Sequence, residues 1–304
     1  MFSHPKLAFA AAVVLGAGLP AAAQTGQVSL KSPNGGLEMT IATMAARGGS
    51  VSDAGGQLAY RIAYRGKPVL DWSNLGLALE GSPVLGSAVR IESSQPSSKD
   101  ETWNSIAGKA NPIRNHYNAI AVQTVETAAG GRRLGLEARA FDDGVAFRYI
   151  VPEQPSVKEI RLINEATQFR FPKDATTWSL ILRDFQTSSE DDYHELTLRG
   201  LHPEYLIGLP VLLQVPGVAY VGLTEAHIDD WAGLFVHSVL DQQTLTARLA
   251  PRVESPTAPH TGGDGSQKVA ELEIGDYGVV QVKEKLQPVP LVLKFPMREL
   301  QRLG

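Results

Sequence analysis

Polar and aromatic side chains suited to contact a small polar ligand are concentrated in residues 100–120, DETWNSIAGKANPIRNHYNAI. Arg114, Asn115, His116 and Tyr117 are consecutive and offer a guanidinium, an amide, an imidazole and a phenol. These groups can hydrogen-bond sugar hydroxyls, while Trp103 or Tyr117 can stack against a sugar ring. A β-strand here would place Arg114 and His116 on one face and Asn115 and Tyr117 on the other. The alternative is a polar edge whose groups bond to one another.

Carboxylates cluster in a second segment, SSEDDYHELTL, which contains Glu190 and Glu195. Calcium takes six to eight oxygen ligands, so an oxygen-rich loop of this kind suits it. The alternative is a solvated acidic loop. A third segment, TEAHIDDWAG, places Glu225, Asp229 and Asp230 before Trp231, which the end of a strand followed by a turn also explains.

Catalytic motifs of known mechanism are absent from the sequence. It contains no Gly-x-Ser-x-Gly elbow, no His-Glu-x-x-His pair, no phosphate-binding glycine loop and no EF-hand loop. We therefore predict no catalytic residue from motifs.

The N-terminus has the pattern of a secretory signal. A weakly basic start precedes an apolar run and the small residues of AAA, which predicts a signal peptide over residues 1–23 and cleavage before Gln24. The apolar run is too short for a spanning helix, the alternative interpretation, and no later stretch is apolar enough to span a bilayer. We expect a periplasmic or secreted protein.

The amino-acid composition limits the classes of partner that the chain is expected to bind. The chain has no cysteine, so no disulfide stabilises it after export. Its formal charge of −4 and pI near 6.0 give no basic footprint for nucleic acid. The composition therefore favours a neutral or small-molecule partner over nucleic acid.

Short runs with period-two alternation, separated by turn residues, predict an all-β fold of antiparallel sheets. Turns are expected at Arg65-Gly66-Lys67-Pro68, at Asp142-Asp143-Gly144, which marks the clearest hairpin, and at Pro216-Gly217. The Asp-Gly corner predicts a turn with φ > 0. Residues 92–101 and 251–267 are polar or rich in Pro, Gly and Ser, and are predicted to be a loop and a linker.

Several phrases resemble, in order, the N-terminal domain of glycoside hydrolase family 97. They are SPNGGLEMTI, LAYRIAYRGKPVLDWSNLGLAL, DETWNSIAGKANPIRNHYNAI, RRLGLEARAFDDGVAFRYIVPEQ, EATQFRFPKD, IGLPVLL and LTEAHIDDWAGLFV. The resemblance runs from about residue 28 to residue 260. It implies a β-super-sandwich of two large antiparallel sheets, galactose-mutarotase-like, with few short helices. The implied domain spans residues 24–260, and residues 261–304 form a divergent tail that could complete a strand.

Members of that family are exported α-glucosidases or α-galactosidases, in which the sandwich precedes a catalytic barrel and a small C-terminal β domain. The resemblance implies that a glutamate of the sandwich joins barrel glutamates around calcium. Glu190 is the candidate for this ligand, and Glu195 is the second choice. The family's catalytic carboxyl pair lies in the barrel, and the residues after 260 are too few to form one.

The expected function is therefore weak binding of an α-linked sugar through Trp103, Arg114, Asn115, His116 and Tyr117, without catalysis. The alternative is a docking module that packs on a separately encoded barrel and binds no sugar itself. A complete enzyme with an active site inside the sandwich is a third possibility, and it has the least support from the sequence.

Overall fold

The computed structural model describes residues 26–45, 49–106, 111–128, 130–155, 157, 160–226 and 231–251, and the backbone of residues 293–294. The described part is all-β, as predicted, and its helical structure is limited to a 3-10 turn at Leu198–Gly200. The strands are β1 (Gln27–Lys31), β2 (Leu37–Met44), β3 (Gln57–Tyr64), β4 (Lys67–Asn74), β5 (Leu77–Leu79), β6 (Val89–Trp103), β7 (Ile113–Glu126), β8 (Arg133–Phe141), β9 (Gly144–Ile150), β10 (Leu162–Glu165), β11 (Gln168–Arg170), β12 (Thr176–Leu182), β13 (Tyr193–Thr197), β14 (Leu206–Val215), β15 (Ala219–Glu225), β16 (Leu234–Ser238), β17 (Thr244–Leu249) and β18 (Leu293–Lys294).

The strands form two main antiparallel sheets. A four-stranded sheet has the order β1-β2-β3-β4. A twelve-stranded sheet runs β11-β17-β16-β14-β15-β18-β9-β8-β7-β6, and β12 and β13 join it beside β14. β5 and β10 form a separate pair. The two-residue strand β18 links the β15 side of the large sheet to the β9 side.

Buried aromatic rings hold the two sheets together. Tyr60 of β3 lies against Phe147 of β9 with ring centroids 5.2 Å apart, and Phe147 meets Tyr149 edge to face at 6.3 Å. All three side chains are buried. Since burying one large apolar side chain contributes roughly 1.5–3 kcal/mol, these rings contribute to the attachment between the sheets.

A hairpin is present at each of the three predicted turns, but Lys67 and Pro68 belong to β4 rather than to the first turn. Arg65 and Gly66 join β3 to β4 with φ angles of 49° and 75°, the left-handed pair that a two-residue hairpin turn favours. The turn at Asp142 and Asp143 joins β8 to β9 without a positive φ at either residue or at Gly144. The hairpin is confirmed there, and the prediction of a positive φ is wrong.

The prediction of a loop over residues 92–101 is also wrong. These residues belong to β6, the terminal strand of the large sheet. Nearly every side chain from Glu92 to Trp103 is exposed, so the segment lacks the alternation that marks a half-buried strand. Backbone pairing with β7 makes it a strand, and Pro96 is tolerated because β6 is an edge.

Several predictions fall on residues outside the described part. These are the signal peptide over residues 1–23, most of the linker over residues 251–267, and the tail apart from residues 293–294. Among the described residues, no helix is long and apolar enough to cross a membrane.

Candidate functional site

The polar segment that stands out in the sequence forms the outer end of the β6–β7 hairpin. β7 pairs with β8 only from Asn118 to Val125, whereas its pairing with β6 continues to Ile113. Residues 99–103 and 113–117 therefore form a two-stranded ribbon beyond the edge of β8. We call these residues the ribbon.

The two faces of the ribbon carry different side chains. Residues opposite each other in an antiparallel ladder share a face, and the register pairs Asp100 with His116 and Thr102 with Arg114. The other face carries the pairs Lys99–Tyr117, Glu101–Asn115 and Trp103–Ile113. The candidate residues thus divide: Arg114 and His116 lie on one face, and Trp103, Asn115 and Tyr117 lie on the other.

On the first face, Arg114 and Asp100 form a two-pronged ion pair. Nε of Arg114 donates to Oδ1 of Asp100 over 2.8 Å, and Nη2 donates to Oδ2 over 2.6 Å. The hydrogen bonds from Arg114 hold the pKa of Asp100 below its usual value, with a smaller contribution from the charge of His116. Both side chains are exposed, so the pair adds little to stability, but it fixes the position of the guanidinium.

On the second face, Glu101 accepts bonds from two neighbours. Nζ of Lys99 lies 2.8 Å from Oε1 of Glu101, and Nδ2 of Asn115 donates to the same oxygen over 2.8 Å. These bonds, chiefly the one from Lys99, lower the pKa of Glu101. The ribbon is therefore a polar edge with its own internal bonds, which is the alternative that the sequence left open.

The two aromatic candidates occupy different environments. The Tyr117 side chain is buried. Its ring centroid lies 5.1 Å from the ring centroid of Phe141 and 4.8 Å from the guanidinium carbon of Arg139. Trp103 is 45% exposed. Tyr117 thus anchors the base of the ribbon, while Trp103 presents a ring to solvent near the tip.

The two carboxyl groups of the ribbon suit binding rather than acid catalysis. Its carboxyl groups, Asp100 and Glu101, both have lowered pKa values, so both are ionised at neutral pH. A carboxyl group that acts as a general acid must stay protonated. The ribbon offers fixed charges, an amide and one accessible aromatic ring.

Glu190, the predicted calcium ligand, lies in the exposed loop between β12 and β13. Glu195 lies on β13, where its Oε2 accepts a bond from Nε1 of Trp178 over 3.2 Å. Across the described residues, no three Asp, Glu or His side chains are grouped to hold a metal ion. Because calcium takes six to eight oxygens, this part of the chain does not fit a complete calcium site. The assignment of Glu190 as one ligand stays a prediction.

A buried polar cluster surrounds Glu165, and no sequence motif predicts it. Oε1 of Glu165 accepts from Nε1 of Trp231 over 3.0 Å, and Oε2 accepts from the Thr167 hydroxyl over 2.8 Å. The Thr167 hydroxyl also lies 2.8 Å from the Tyr149 hydroxyl. Burial raises the pKa of Glu165 to about 8. Glu165 lies in LINEATQF, where polar and apolar residues alternate irregularly, so no sequence pattern marked it as buried.

Glu225, noted in the third sequence segment, lies near this cluster. Oε2 of Glu225 accepts from the backbone N–H of Leu234 over 3.0 Å, and burial raises its pKa to about 6. The negative charge of Glu225 also contributes to the raised pKa of Glu165. Asp229 and Asp230 lie outside the described residues. This cluster lies inside the fold, and we assign it a structural role.

Comparisons with known proteins agree on one family. The family model described as Glycosyl-hydrolase 97 N-terminal matches residues 30–278. A retaining alpha-galactosidase of Bacteroides thetaiotaomicron is 26% identical over 260 residues, which cover 83% of this chain and 36% of the relative.

Solved structures show the same fold. A glycoside hydrolase family 97 enzyme from Pseudoalteromonas sp. strain K8, in complex with acarbose, matches with a TM-score of 0.69 and 20% identity over 88% of this chain and 35% of that one. A beta-arabinopyranosidase matches with a TM-score of 0.68 and 18% identity over 88% of this chain and 40% of that one. The chain thus spans little more than a third of the length of these proteins.

Proposed function

The chain belongs to the glycoside hydrolase family 97 N-terminal domains, and we propose that it is the sugar-contacting, non-catalytic domain of an exported enzyme acting on α-linked sugars. The observation that carries the proposal is the ribbon, which projects a half-exposed Trp103 and a fixed Arg114–Asp100 pair beyond the sheet. A relative is named as an alpha-galactosidase, and a structural neighbour was solved with acarbose. Both names support a saccharide as the ligand.

Catalysis is assigned to a different domain. Glycoside hydrolysis needs two carboxyl groups, one protonated and one ionised, on opposite sides of the scissile bond. The ribbon has two carboxyl groups with lowered pKa values and none with a raised pKa. The family's carboxyl pair belongs to its barrel, so the ribbon serves to contact a sugar held there.

The affinity of the isolated chain for a sugar is low in this proposal. One exposed ring and a few hydroxyl contacts enclose little of a ligand, whereas a formed pocket buries most of it. We expect a dissociation constant in the millimolar range, which corresponds to a binding free energy on the order of −4 kcal/mol. Calcium, if Glu190 is a ligand, binds weakly without carboxylates from a second domain.

A second function, docking without sugar binding, is favoured by one observation. Ile106 follows Trp103 toward the tip of the hairpin, and its side chain is fully exposed. Trp103 and Ile106 are exposed large apolar side chains three residues apart, which suits burial against a protein partner. The partner would be a separately encoded catalytic barrel of the same family.

Two measurements on the purified chain separate these functions. We expect no hydrolysis of nitrophenyl α-glucoside or α-galactoside, and shifts of the residue 114–117 backbone signals on NMR titration with maltose or melibiose. Turnover that disappears in a carboxylate variant of this chain would overturn the non-catalytic assignment. Unshifted signals at high sugar concentration, together with barrel binding that Ile106→Asp abolishes, would favour docking.

A further inference from the structure

The outer face of the large sheet carries an arginine that is fixed in place by an aromatic ring. Leu136 and Ala138 of β8 belong to the core, so the alternate residues Glu137 and Arg139 point outward. The guanidinium carbon of Arg139 lies 4.8 Å from the ring centroid of Tyr117. Its Nη2 is 3.6 Å from Oε1 of Glu137, which is too far for a hydrogen bond. No hydrogen bond joins this guanidinium to another residue that the structure describes.

The neighbours of Arg139 explain why its donors are not used within the sheet. Ala119 of β7 and Ala146 of β9 lie opposite Arg139 on its two sides, and neither has a polar side chain. The nearby carboxylate of Glu137 is bonded to Arg148, whose Nε donates to Oε2 of Glu137 over 2.5 Å. A guanidinium that stacks on a ring keeps the N–H groups at its edge available. Arg139 therefore presents a planar fork of donors in a fixed position.

The charges around Arg139 leave one cation in excess. Nζ of Lys99 on β6 lies 2.8 Å from Oε1 of Glu101. The bond to Glu101 raises the pKa of Lys99, and the charge of Arg139 acts in the opposite direction, so the two cations are close to each other. Lys99 and Arg148 each have a carboxylate partner, whereas Arg139 has none within hydrogen-bond distance among the described side chains. The charge of this surface therefore complements a ligand with one negative group.

We propose that this surface binds a saccharide that carries a carboxylate, a uronic acid residue, with the carboxylate on the Arg139 guanidinium. The planar fork of arginine matches a carboxylate through two parallel N–H···O bonds. The sugar ring lies toward β6, where the register places the exposed Ser97 beyond Ala119, and the exposed Gln95 follows two residues away. Two strand spacings of about 4.8 Å each separate Ser97 from Arg139, a span that one sugar residue with its carboxylate can bridge.

The site is separate from the sugar contact proposed at Trp103 and does not depend on it. Ala119 lies six residues along β7 from Ile113, the partner of Trp103, which is about 20 Å of strand. A neutral sugar has no carboxylate, so it should not engage Arg139. An acidic side chain of a protein partner offers a carboxylate, but it lacks the hydroxyls that the exposed serine and glutamine of β6 can bond. A uronic acid residue uses both parts of the surface.

NMR titration of the full chain at neutral pH with glucuronate, glucose and acetate tests the proposal. Glucuronate should shift the side-chain Nε–H signal of Arg139 and the amide signal of Ala119, and it should bind at least about fivefold more tightly than acetate. Glucose should leave both signals unshifted. Equal binding of acetate and glucuronate overturns the assignment of a sugar, and equal shifts with glucose overturn the role of the carboxylate. Tighter binding of a tetraglutamate peptide than of glucuronate also overturns the proposal, because it indicates a protein partner.

Three variants locate the site. Arg139→Gln should weaken glucuronate binding at least about fivefold. Arg133→Gln is the matched control, since Arg133 lies on the same face of β8 but already donates to Glu92 through Nε and Nη2, and binding should stay within about twofold. Glu137→Gln removes the competing carboxylate and should tighten binding at least about twofold, a gain that damage to the fold would not produce. Equal losses in Arg139→Gln and Arg133→Gln, or weaker binding in Glu137→Gln, contradict the proposed site.

Discussion

Two hydrogen bonds between tryptophan and glutamate lie in opposite surroundings. Trp231 donates to Glu165 over 3.0 Å inside the core, and Trp178 donates to Glu195 over 3.2 Å at an exposed site. In the core, removing the acceptor leaves a buried N–H without a partner, whereas at the surface water replaces it. The same bond is therefore structural in one region and exchangeable in the other.

The hydrogen bonds of the ribbon are like the exposed bond between Trp178 and Glu195. The Arg114–Asp100 pair is exposed and the Asn115–Glu101 bond is only partly buried, so a ligand hydroxyl can replace or share them at low cost. The cluster around Glu165 cannot exchange its bonds without disturbing the core. We expect changes in the Glu165 cluster to alter stability and changes in the ribbon to alter binding.

The largest effect is expected for Glu165→Ala. The substitution leaves the Trp231 N–H and the Thr167 hydroxyl without their acceptor, and we expect a loss of about 3 kcal/mol in the free energy of unfolding. Glu195→Ala is the matched control, with a loss under about 0.5 kcal/mol. Urea denaturation followed by fluorescence measures both, and equal losses would remove the distinction between the two regions.

The next largest effect concerns pH. Glu165 has a pKa of about 8 in the folded chain against 4.5 unfolded, and Glu225 about 6 against 4.5. At a pH between the unfolded and folded pKa values, each carboxyl group keeps its proton in the folded state and has lost it in the unfolded state. The free energy of unfolding therefore falls as pH rises from about 4.5 to about 8, and then levels off.

We expect the free energy of unfolding to fall between pH 5 and pH 9, because the unfolded state loses protons that the folded Glu165 and Glu225 retain. Glu165→Gln cannot ionise and should keep only the smaller fall due to Glu225, below about pH 6. Denaturation at a series of pH values checks this. A fall of unchanged size in Glu165→Gln would show that another group causes it.

A smaller effect on stability is expected at the ribbon. Arg114→Ala removes an exposed ion pair and should cost less than about 1 kcal/mol. It should nevertheless reduce sugar binding severalfold, because the guanidinium that Asp100 holds in place is lost. Thermal denaturation and an NMR sugar titration of the same sample give both quantities. A large loss of stability with unchanged sugar binding would show that Arg114 stabilises the fold, as the Glu165 cluster does, and does not contact a sugar.

Sequence patterns predicted the fold where one face of a strand is buried. The alternation of Leu134, Leu136, Ala138 and Ala140 marked β8, and the turns at Arg65-Gly66 and Pro216-Gly217 marked their hairpins. β6 was missed over residues 92–101 because both of its faces are exposed, so no alternation exists to detect. Its structure comes from pairing with a strand whose start lies about ten residues later.

The faces of the candidate residues could be predicted from the sequence, but their contacts could not. The alternating faces of Arg114, Asn115, His116 and Tyr117 follow from a strand, and the register agrees with them. The bonds to Asp100 and Glu101 depend on the position of the hairpin tip, which the sequence did not specify. The burial of Tyr117 depends on Arg139 and Phe141 of the neighbouring strand β8.

The most direct test of the central proposal uses the indole N–H signals of the four tryptophans. Titration with maltose or melibiose should shift the Trp103 signal, with half-saturation at millimolar sugar. The signals of Trp178, which bonds to Glu195, and of the buried Trp231 should stay fixed. A Trp103 signal that does not move up to about 50 mM sugar, or a shift confined to Trp178, would contradict a saccharide contact at the ribbon.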